Sequence, residues 1–409
     1  MTRTTDEHQH ALLHELAERT QLREGAAGIE AVLRTIHRAG GLTGKELARQ
    51  TRLPVPVITA IRRELERAGL VAAGPTIRLT PQGMVLIEGA WGWVGKGYMC
   101  PACQGRRIVA GPEWTATRTR LESWFARNPT VDVTLDQSHC TPDTNLRRAL
   151  YLQTQGALAG KAVLLLGDDD SVSLSIGLVG QVIAPGSSGR LTRRLTVLDS
   201  DERILAHLAH AAEVEGFVLE TILHDLREPL PADLCGQFDT VVTDPPYTLG
   251  GADLFVSRAV AALVQEPGKQ LFLSFGHRTP ADQVELQRLL AEMGLAVTEM
   301  LPGFNDYRGA GILAGVSQMI YALTTEQTRP RTTGVYAGPL YTGELRPTLR
   351  RYRCMGCGAK WTVGQAPDAV APTIEQLKAA GCPRCGSPLF MLEARTGVAA
   401  GAEEAGDGA

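Results

Sequence analysis

The stretch "LLLGDDDSVSLSIG", Leu164 to Gly177, decides the fold. The leucines read as the end of a buried strand. Gly167 and the residues after it read as a tight turn, and the run from about Ser171 as a helix. Strand, turn and helix in this order open a nucleotide-binding α/β domain, whose turn is normally glycine-rich so that backbone can approach the ligand. Here Asp168, Asp169 and Asp170 stand at the meeting point instead. Three adjacent carboxylates favour a cationic ligand.

Outward from this stretch, "RLTVLD", "FDTVVTDPPY", "KQLFLSFG", "AVTEML" and "SQMIYAL" are apolar runs, most of them separated by helical stretches. "FVLETILHDLREPLP" supplies one more strand. Such runs spaced by helices predict a mostly parallel sheet covered on both faces, with ligands beyond the carboxyl ends of the strands. Those ends carry Gly167 to Asp170, then Asp199, Asp225, the run Asp244 to Thr248, and His277. An acid after the second strand suits ribose hydroxyls, and Asp225 lies where adenine would be met. Asp170 has two readings, a cap on the helix that follows or a ligand contact. Asp225 can equally be a surface-loop residue, and His277 a structural residue at a strand end.

Upstream, "GLTGKELARQTRLPVPVITAIRRELERAGLV" holds apolar residues at helical spacing, with Pro54 and Pro56 at the break. "VAAGPTIRLTPQGMVLIEG" reads as two strands around a turn. Together they predict a winged helix-turn-helix domain. Such a domain serves either DNA binding through Pro56–Ala68 or docking and dimerisation. Its candidate recognition helix mixes Arg62, Arg63 and Arg67 with Glu64 and Glu66.

Downstream, Cys354-x2-Cys357 and Cys382-x2-Cys385 form two knuckles, "CMGCG" and "CPRCG". Four thiolates so spaced suit tetrahedral zinc in a small ribbon-like module. Cys100 and Cys103 supply two ligands more, without a complement. The tail "GVAAGAEEAGDGA" has a disordered composition. The chain of 409 residues therefore divides into a helical segment over 1–27, a winged helix-turn-helix domain over 28–90 and a connecting region with Cys-x-x-Cys over 91–145. A Rossmann-like domain over 146–326, a zinc-ribbon-like module over 327–395 and a tail over 396–409 follow.

Composition narrows the classes. A net charge of −3 gives no general case for nucleic acid. No apolar run approaches the roughly 20 residues that span a bilayer. The amino terminus lacks the apolar core of a signal peptide. Six of eight cysteines fall in Cys-x-x-Cys pairs, which in a reducing compartment points to metal. A cytoplasmic protein without a membrane partner is expected.

The strand order and Asp244-Pro245-Pro246-Tyr247 resemble the S-adenosylmethionine-dependent transferases. The prolines fix the backbone and remove two N–H donors, so the Asp244 carboxylate and neighbouring carbonyls can accept from an amine, while Tyr247 offers a flat face to a base or cation. The acidic turn departs from the methyltransferase pattern, because it would repel the carboxylate of S-adenosylmethionine. Decarboxylated S-adenosylmethionine lacks that group. "GDDDSVSLSIG", "TDPPYTLGG" and "LDQSHCTPDTNLRRALYL" (Leu135 to Leu152) together resemble the branched-chain polyamine synthases, the N(4)-bis(aminopropyl)spermidine synthases.

That resemblance implies aminopropyl transfer from decarboxylated S-adenosylmethionine to the central secondary amine of spermidine, releasing methylthioadenosine. It implies Asp169, with Asp168 and Asp244, as catalytic residues, Asp169 being the base. Asp170, Pro245, Pro246, Tyr247 and Thr248 would bind the polyamine. Gly167, Asp199 and Asp225 would bind the nucleoside. It also implies a homodimer. The competing readings are a nucleic-acid amino-methyltransferase using S-adenosylmethionine, and a ligand-sensing DNA-binding regulator. The acidic entrance opposes the first, since it repels phosphate.

Overall fold

The structure is a computed structural model, and its described residues are 3–91, 100–185, 191–308, 315–345, 348–364, 369–372 and 374–397. They gather into two bodies. One holds Met1–Thr130, Ser138–Pro245 and Asp253–Val335, the other Val131–Gln137, Pro246–Ala252 and Tyr336–Ala409.

The first body begins with helices Arg3–Arg19, Gly25–Ala39, Gly44–Thr51 and Val55–Arg67. Thr43 and Glu46 form a reciprocal cap on the third, and Pro54 and Pro56 start the fourth. The hairpin is much shorter than expected: β1 (Val71–Ala72) pairs with β2 (Arg78–Leu79), and Leu42 bridges Ile77. The remainder of the expected second strand is a helix, Pro81–Trp91. Pro81 follows Thr80, whose hydroxyl accepts from Gly83 N at 3.1 Å, and this cap turns the ambiguous run Met84–Ile87 helical. Ile29, Val32, Ile58, Ile61 and Ile87 close a core of their own.

The central sheet follows: β3 (Ala162–Leu166), β4 (Arg194–Asp199), β5 (Glu220–Leu223), β6 (Thr240–Thr243), β7 (Gln270–Gly276), β8 (Leu295–Asp306) and β9 (Val316–Thr324). Its order is β5-β4-β3-β6-β7-β9-β8. β3 to β7 pair in parallel, while β9 runs antiparallel between β7 and β8. This is the mostly parallel α/β architecture read from the sequence. The burial of every residue of β3, β6 and β7 is why their sequences are apolar without alternation. β8 outlasts its sequence signal. It continues through Pro302 and Gly303 with register shifts after Val297 and Leu301, and delivers Asn305 and Asp306 to the carboxyl end of the sheet.

Asp306 ties the first body together. It accepts from Arg49 of the amino-terminal helices at 2.9 Å and from Arg106 of the connecting region at 2.9 Å and 3.1 Å. Arg147 approaches it at 3.8 Å.

In the second body, β10 (Thr348–Cys354), β11 (Lys360–Val363) and β12 (Phe390–Gly397) form an antiparallel sheet of order β11-β10-β12. The tail beyond Gly397 lies outside the described residues. A strap from Tyr336 to Glu344 engages two earlier loops of this body. Thr248 Oγ1 donates to Leu340 O at 2.8 Å, and Thr342 N donates to Asp136 Oδ2 at 2.7 Å. No helix among the described residues is long and apolar enough to cross a membrane.

Phe272 of β7 is fully buried, stacked on Tyr321 at 4.7 Å and edge-on to Tyr151 at 5.8 Å. Phe272→Ala should cost about 3–5 kcal/mol in a urea titration of the whole chain. A cost below about 1 kcal/mol would contradict this packing.

Candidate active site

The Gly-Asp-Asp-Asp turn needs two left-handed residues. Gly167 has φ 72° and Ser171 φ 57°. Glycine takes that conformation freely, whereas serine needs external support. Ser171 N donates to Asp168 O at 2.9 Å, and Asn145 Nδ2 donates to Asp170 O.

The three acids have three different environments. Asp168 caps the helix Val172–Ile183, accepting from Val172 N at 2.6 Å and Ser173 N at 3.1 Å. Capping therefore belongs to Asp168, not to Asp170 as one reading of the sequence had it. The cause is the turn at Ser171, which sends the Asp168 carboxylate under the first helical turn. Asp170, 3% exposed, faces inward and accepts from Cys140 N and from Arg148 Nη1 at 2.6 Å. Asp169 is half-buried. Its Oδ2 accepts from Ser138 N at 3.0 Å, and no Arg, Lys or His among the described residues pairs with its carboxylate. His139 holds the backbone of the same residue, with Nδ1 2.8 Å from Asp169 O and Nε2 2.9 Å from Pro129 O.

Arg148 organises the remainder. It lies on the helix Pro142–Thr154 and is 2% exposed. Besides Asp170, it donates through Nη2 to Asp244 Oδ2 at 2.8 Å and to the Tyr307 hydroxyl at 2.8 Å, and through Nε to Asn305 Oδ1 at 2.8 Å. Tyr307 OH donates to Asp244 Oδ2 at 2.5 Å. The sequence reading assigned no role to Arg148, Asn305 or Tyr307. A signal existed for the first: Asn145, Arg148, Ala149 and Leu152 share one helical stripe, so a guanidinium sits on a buried face. The other two lie beyond the expected strand "AVTEML", where the sequence reading assigned no element.

Proton affinities follow from these surroundings. Confinement raises Asp169 well above the usual carboxylate range, and the like charges of Asp170, Asp244 and Asp199 raise it further. Burial lifts Asp168 to about 7 against its helix N–H bonds. Burial also lifts Asp244 to about 7, with Asp170 adding to it and Arg148 and Tyr307 opposing. Burial would lower Arg148, but Tyr307, Asp170 and Asp244 outweigh it and hold the guanidinium charged.

The other expected residues are placed as follows. Asp199 is buried at the end of β4, where its two oxygens accept from Asp168 N at 3.0 Å and Asp201 N at 2.8 Å, and burial raises its pKa. Asp225 is exposed after β5 and accepts from Arg227 N at 2.9 Å. Asp244 and Pro245 end the β6 segment of the first body, and Pro246, Tyr247 and Thr248 lie in the second. The Thr248 hydroxyl, expected to meet the polyamine, is buried; it accepts from Gly251 N at 2.8 Å and donates to Leu340 O. That makes it a cap on the helix Leu249–Ala262. His277 Nε2 accepts from Gly303 N at 3.1 Å, and burial followed by nearby Arg52 lowers it to about 4, so it is a neutral structural group. On the helix Val55–Arg67, Arg62 pairs with Glu66 at 2.7 Å and Arg67 with Glu64, so two of the three arginines of the candidate recognition helix have carboxylate partners.

The sulfurs of Cys354, Cys357, Cys382 and Cys385 all lie within 4.8 Å of one another. Cys354 and Cys385 are 3.5 Å apart, and Cys357 and Cys382 3.7 Å. A tetrahedral zinc–thiolate centre with bonds of about 2.3 Å places sulfurs about 3.8 Å apart, so the four fit the ion. Trp361 Nε1 donates to Cys382 Sγ at 3.2 Å, as a partner outside the ligand set would. Cys100 and Cys103 gather no third ligand among the described residues.

Asp168 gives a stability test. Free aspartate titrates near 3.9, and Asp168 and Asp244 are raised to about 7 in the fold. Between these values the folded chain keeps protons that the unfolded chain has released, so stability falls as pH rises through this window. Asp168→Asn removes one of these titrations while keeping a capping oxygen. Its urea midpoint should fall less steeply than that of the wild type between about pH 4.5 and 7.5. Equal slopes would rule out this ionisation.

Residues 117–336 match the family model described as the branched-chain polyamine synthase A C-terminal domain. The chain is 34% identical over 358 residues to an uncharacterized protein of Methanocaldococcus jannaschii, covering 87% of each. It is 33% identical over 270 residues to the N(4)-bis(aminopropyl)spermidine synthase of Thermus thermophilus, covering 66% of this chain and 74% of that one. The crystal structure of the Thermus thermophilus branched-chain polyamine synthase, in complex with N4-aminopropylspermidine and 5'-methylthioadenosine, superposes with a TM-score of 0.65. Identity there is 28%, over 82% of this chain and 98% of that one. The family model spans more than half of the chain, the acidic turn and the Asp-Pro-Pro-Tyr strand end both lie within the matched residues, and the chain belongs to the branched-chain polyamine synthase family.

Proposed function

We propose that this protein is an aminopropyltransferase. It moves aminopropyl groups from decarboxylated S-adenosylmethionine to the central secondary amine of spermidine, giving N(4)-aminopropylspermidine and then N(4)-bis(aminopropyl)spermidine. The single observation that carries the reading is the state of Asp169, a half-buried carboxylate of raised proton affinity with no Arg, Lys or His partner among the described residues, next to two acids that Arg148 occupies.

The chemistry needs such a group. An alkylamine is protonated at neutral pH, titrating near 10, and a protonated nitrogen has no lone pair to attack with. Asp169 takes its proton. The nitrogen attacks the aminopropyl CH2 bound to the sulfonium, the C–S bond breaks, and its electron pair stays on sulfur as neutral methylthioadenosine. The second transfer starts from the tertiary amine and ends as a quaternary ammonium. Both reactants are cations, so the acidic wall offsets their repulsion and positioning supplies most of the rate. Asp244 orients the amine, and Pro245 fixes the backbone beside it. Gly167, Asp199 and Asp225 serve the nucleoside, and Asp170 holds Arg148. Asp168 acts through the helix it caps, and Thr248 through the loop it closes.

We assign the amino-terminal helices and hairpin as a winged-helix unit, and the four cysteines of the second body as a structural zinc site. Zinc would fold the small β10–β12 sheet and take no part in the transfer. A cytoplasmic location and a dimer of this chain complete the proposal.

Incubation with spermidine and either decarboxylated S-adenosylmethionine or S-adenosylmethionine, read by mass spectrometry, tests the reaction. One or two added aminopropyl units with methylthioadenosine are expected in the first reaction alone. Product in neither would defeat the reading. Asp169→Asn should lower turnover by about 10²–10⁴-fold without a change in melting; near-normal turnover would remove Asp169 as the base. Elemental analysis should find about one zinc per chain, lost in Cys382→Ser. A metal-free wild type with an intact β10–β12 sheet would exclude the site.

A further inference from the structure

We infer that Tyr307 is a positioning residue for the amine acceptor: its hydroxyl is the last link of a one-way hydrogen-bond chain that ends on Asp244 Oδ2 and leaves Asp244 Oδ1 to receive an amine N–H. The direction of the chain follows from its fixed ends. Arg148 Nε can only donate, so the Asn305 oxygen faces it at 2.8 Å and the Asn305 amide nitrogen must face away. That nitrogen donates to Ser317 Oγ at 2.9 Å and to Ser274 Oγ at 3.1 Å. Arg148 Nη2 can only donate, so the Tyr307 oxygen accepts from it at 2.8 Å. The carboxylate of Asp244 takes the single Tyr307 proton, at 2.5 Å. Ser317 Oγ, 3.0 Å from the Tyr307 oxygen, is then the donor of that pair.

Among the described residues the donors to the Asp244 carboxylate are Arg148 Nη2 and Tyr307 OH, and both end on Oδ2. A proton on Oδ2 would face two donors and find no acceptor, so the chain stabilises Asp244 as an anion. Its residual proton affinity comes from burial and from the neighbouring acids. The charged and titratable groups around Asp244 are Arg148 from the helix, Tyr307 from the end of β8, Asp169 and Asp170 from the turn after β3, and Cys140 from the segment before the helix. Among them Tyr307 is a neutral donor, so it can be removed without changing the charge of the site. The inference deepens the aminopropyltransferase reading, on which only the identity of the amine rests.

The test is Tyr307→Phe, read in two ways. Carboxyl carbon NMR of protein labelled at aspartate Cγ, with Asp244→Asn assigning the signal, reports Asp244 directly and needs no turnover. Loss of the phenol should raise its titration midpoint by about one pH unit, a tenfold change in proton affinity. In parallel, KM for spermidine should rise about tenfold near neutral pH and recover at higher pH, with kcat much less affected. Ser317→Ala, one link upstream, should shift the same signal in the same direction by less. An unmoved Asp244 midpoint in folded Tyr307→Phe would overturn the inference, as would a uniform loss of kcat at all pH values. A shifted midpoint in a protein that makes no aminopropylated product would uphold the inference and reject the reaction.

Discussion

One buried cation sets the terms of this site. Arg148 has almost no contact with water, and a guanidinium so placed is tolerable only with full pairing. Asp170 and Asp244 supply the charge, and Tyr307 and Asn305 supply the other acceptors. That demand fixes parts of the chain far apart in sequence: the helix Pro142–Thr154, the turn after β3, the end of β6 and the end of β8. It also makes the acids unequal. Two are committed to the cation and one to the helix N-terminus, while the Asp169 carboxylate has no Arg, Lys or His partner among the described residues. Similar side chains in one loop thereby acquire separate roles without any difference in their own chemistry.

Much of this was legible in the sequence, for identifiable reasons. Strands buried on both faces carry uninterrupted apolar runs, and Leu164–Leu166 or Val241–Val242 have no other good interpretation. Strand ends follow from the strand runs, so the placement of Asp199, Asp244 and the acidic turn at the carboxyl end of the sheet could be read from position alone. The cysteine knuckles announced themselves by spacing. The illegible parts depend on contacts between distant segments. Pro302 and Gly303 lie past the expected strand "AVTEML", yet pairing with β9 extends a bulged strand beyond them and brings Asn305 and Tyr307 to the site. Met84 to Ile87 is short and apolar and carries no helix or strand preference of its own; Thr80 and Pro81 settle it. The partition of Asp168 from Asp170 turns on a single left-handed serine, which no local pattern foretells.

The alternation at the end of β8 has a mechanical side. Asn305 and Tyr307 face Arg148, while Asp306 between them faces Arg49, Arg106 and Arg147. Neighbouring arginines on one helix, Arg147 and Arg148, thus serve opposite faces of the same strand end. The contact of Arg49 joins the amino-terminal helices to the residues that hold the acids. This gives the amino-terminal unit a structural part in the site whether or not it ever meets DNA.

The family match ends at residue 336, and the strap of the second body begins there. Thr248 of the loop after β6 and Asp136 of the loop before Ser138 both find partners beyond that point, at Leu340 and Thr342. The edge of the matched domain is therefore not a boundary of folding. A chain cut at 336 would keep every residue of the family pattern and lose the supports of two of its loops. The strap thus braces, from beyond the matched domain, two loops that lie inside it, and the sequence between 336 and 344 is part of what those loops need to keep their shape.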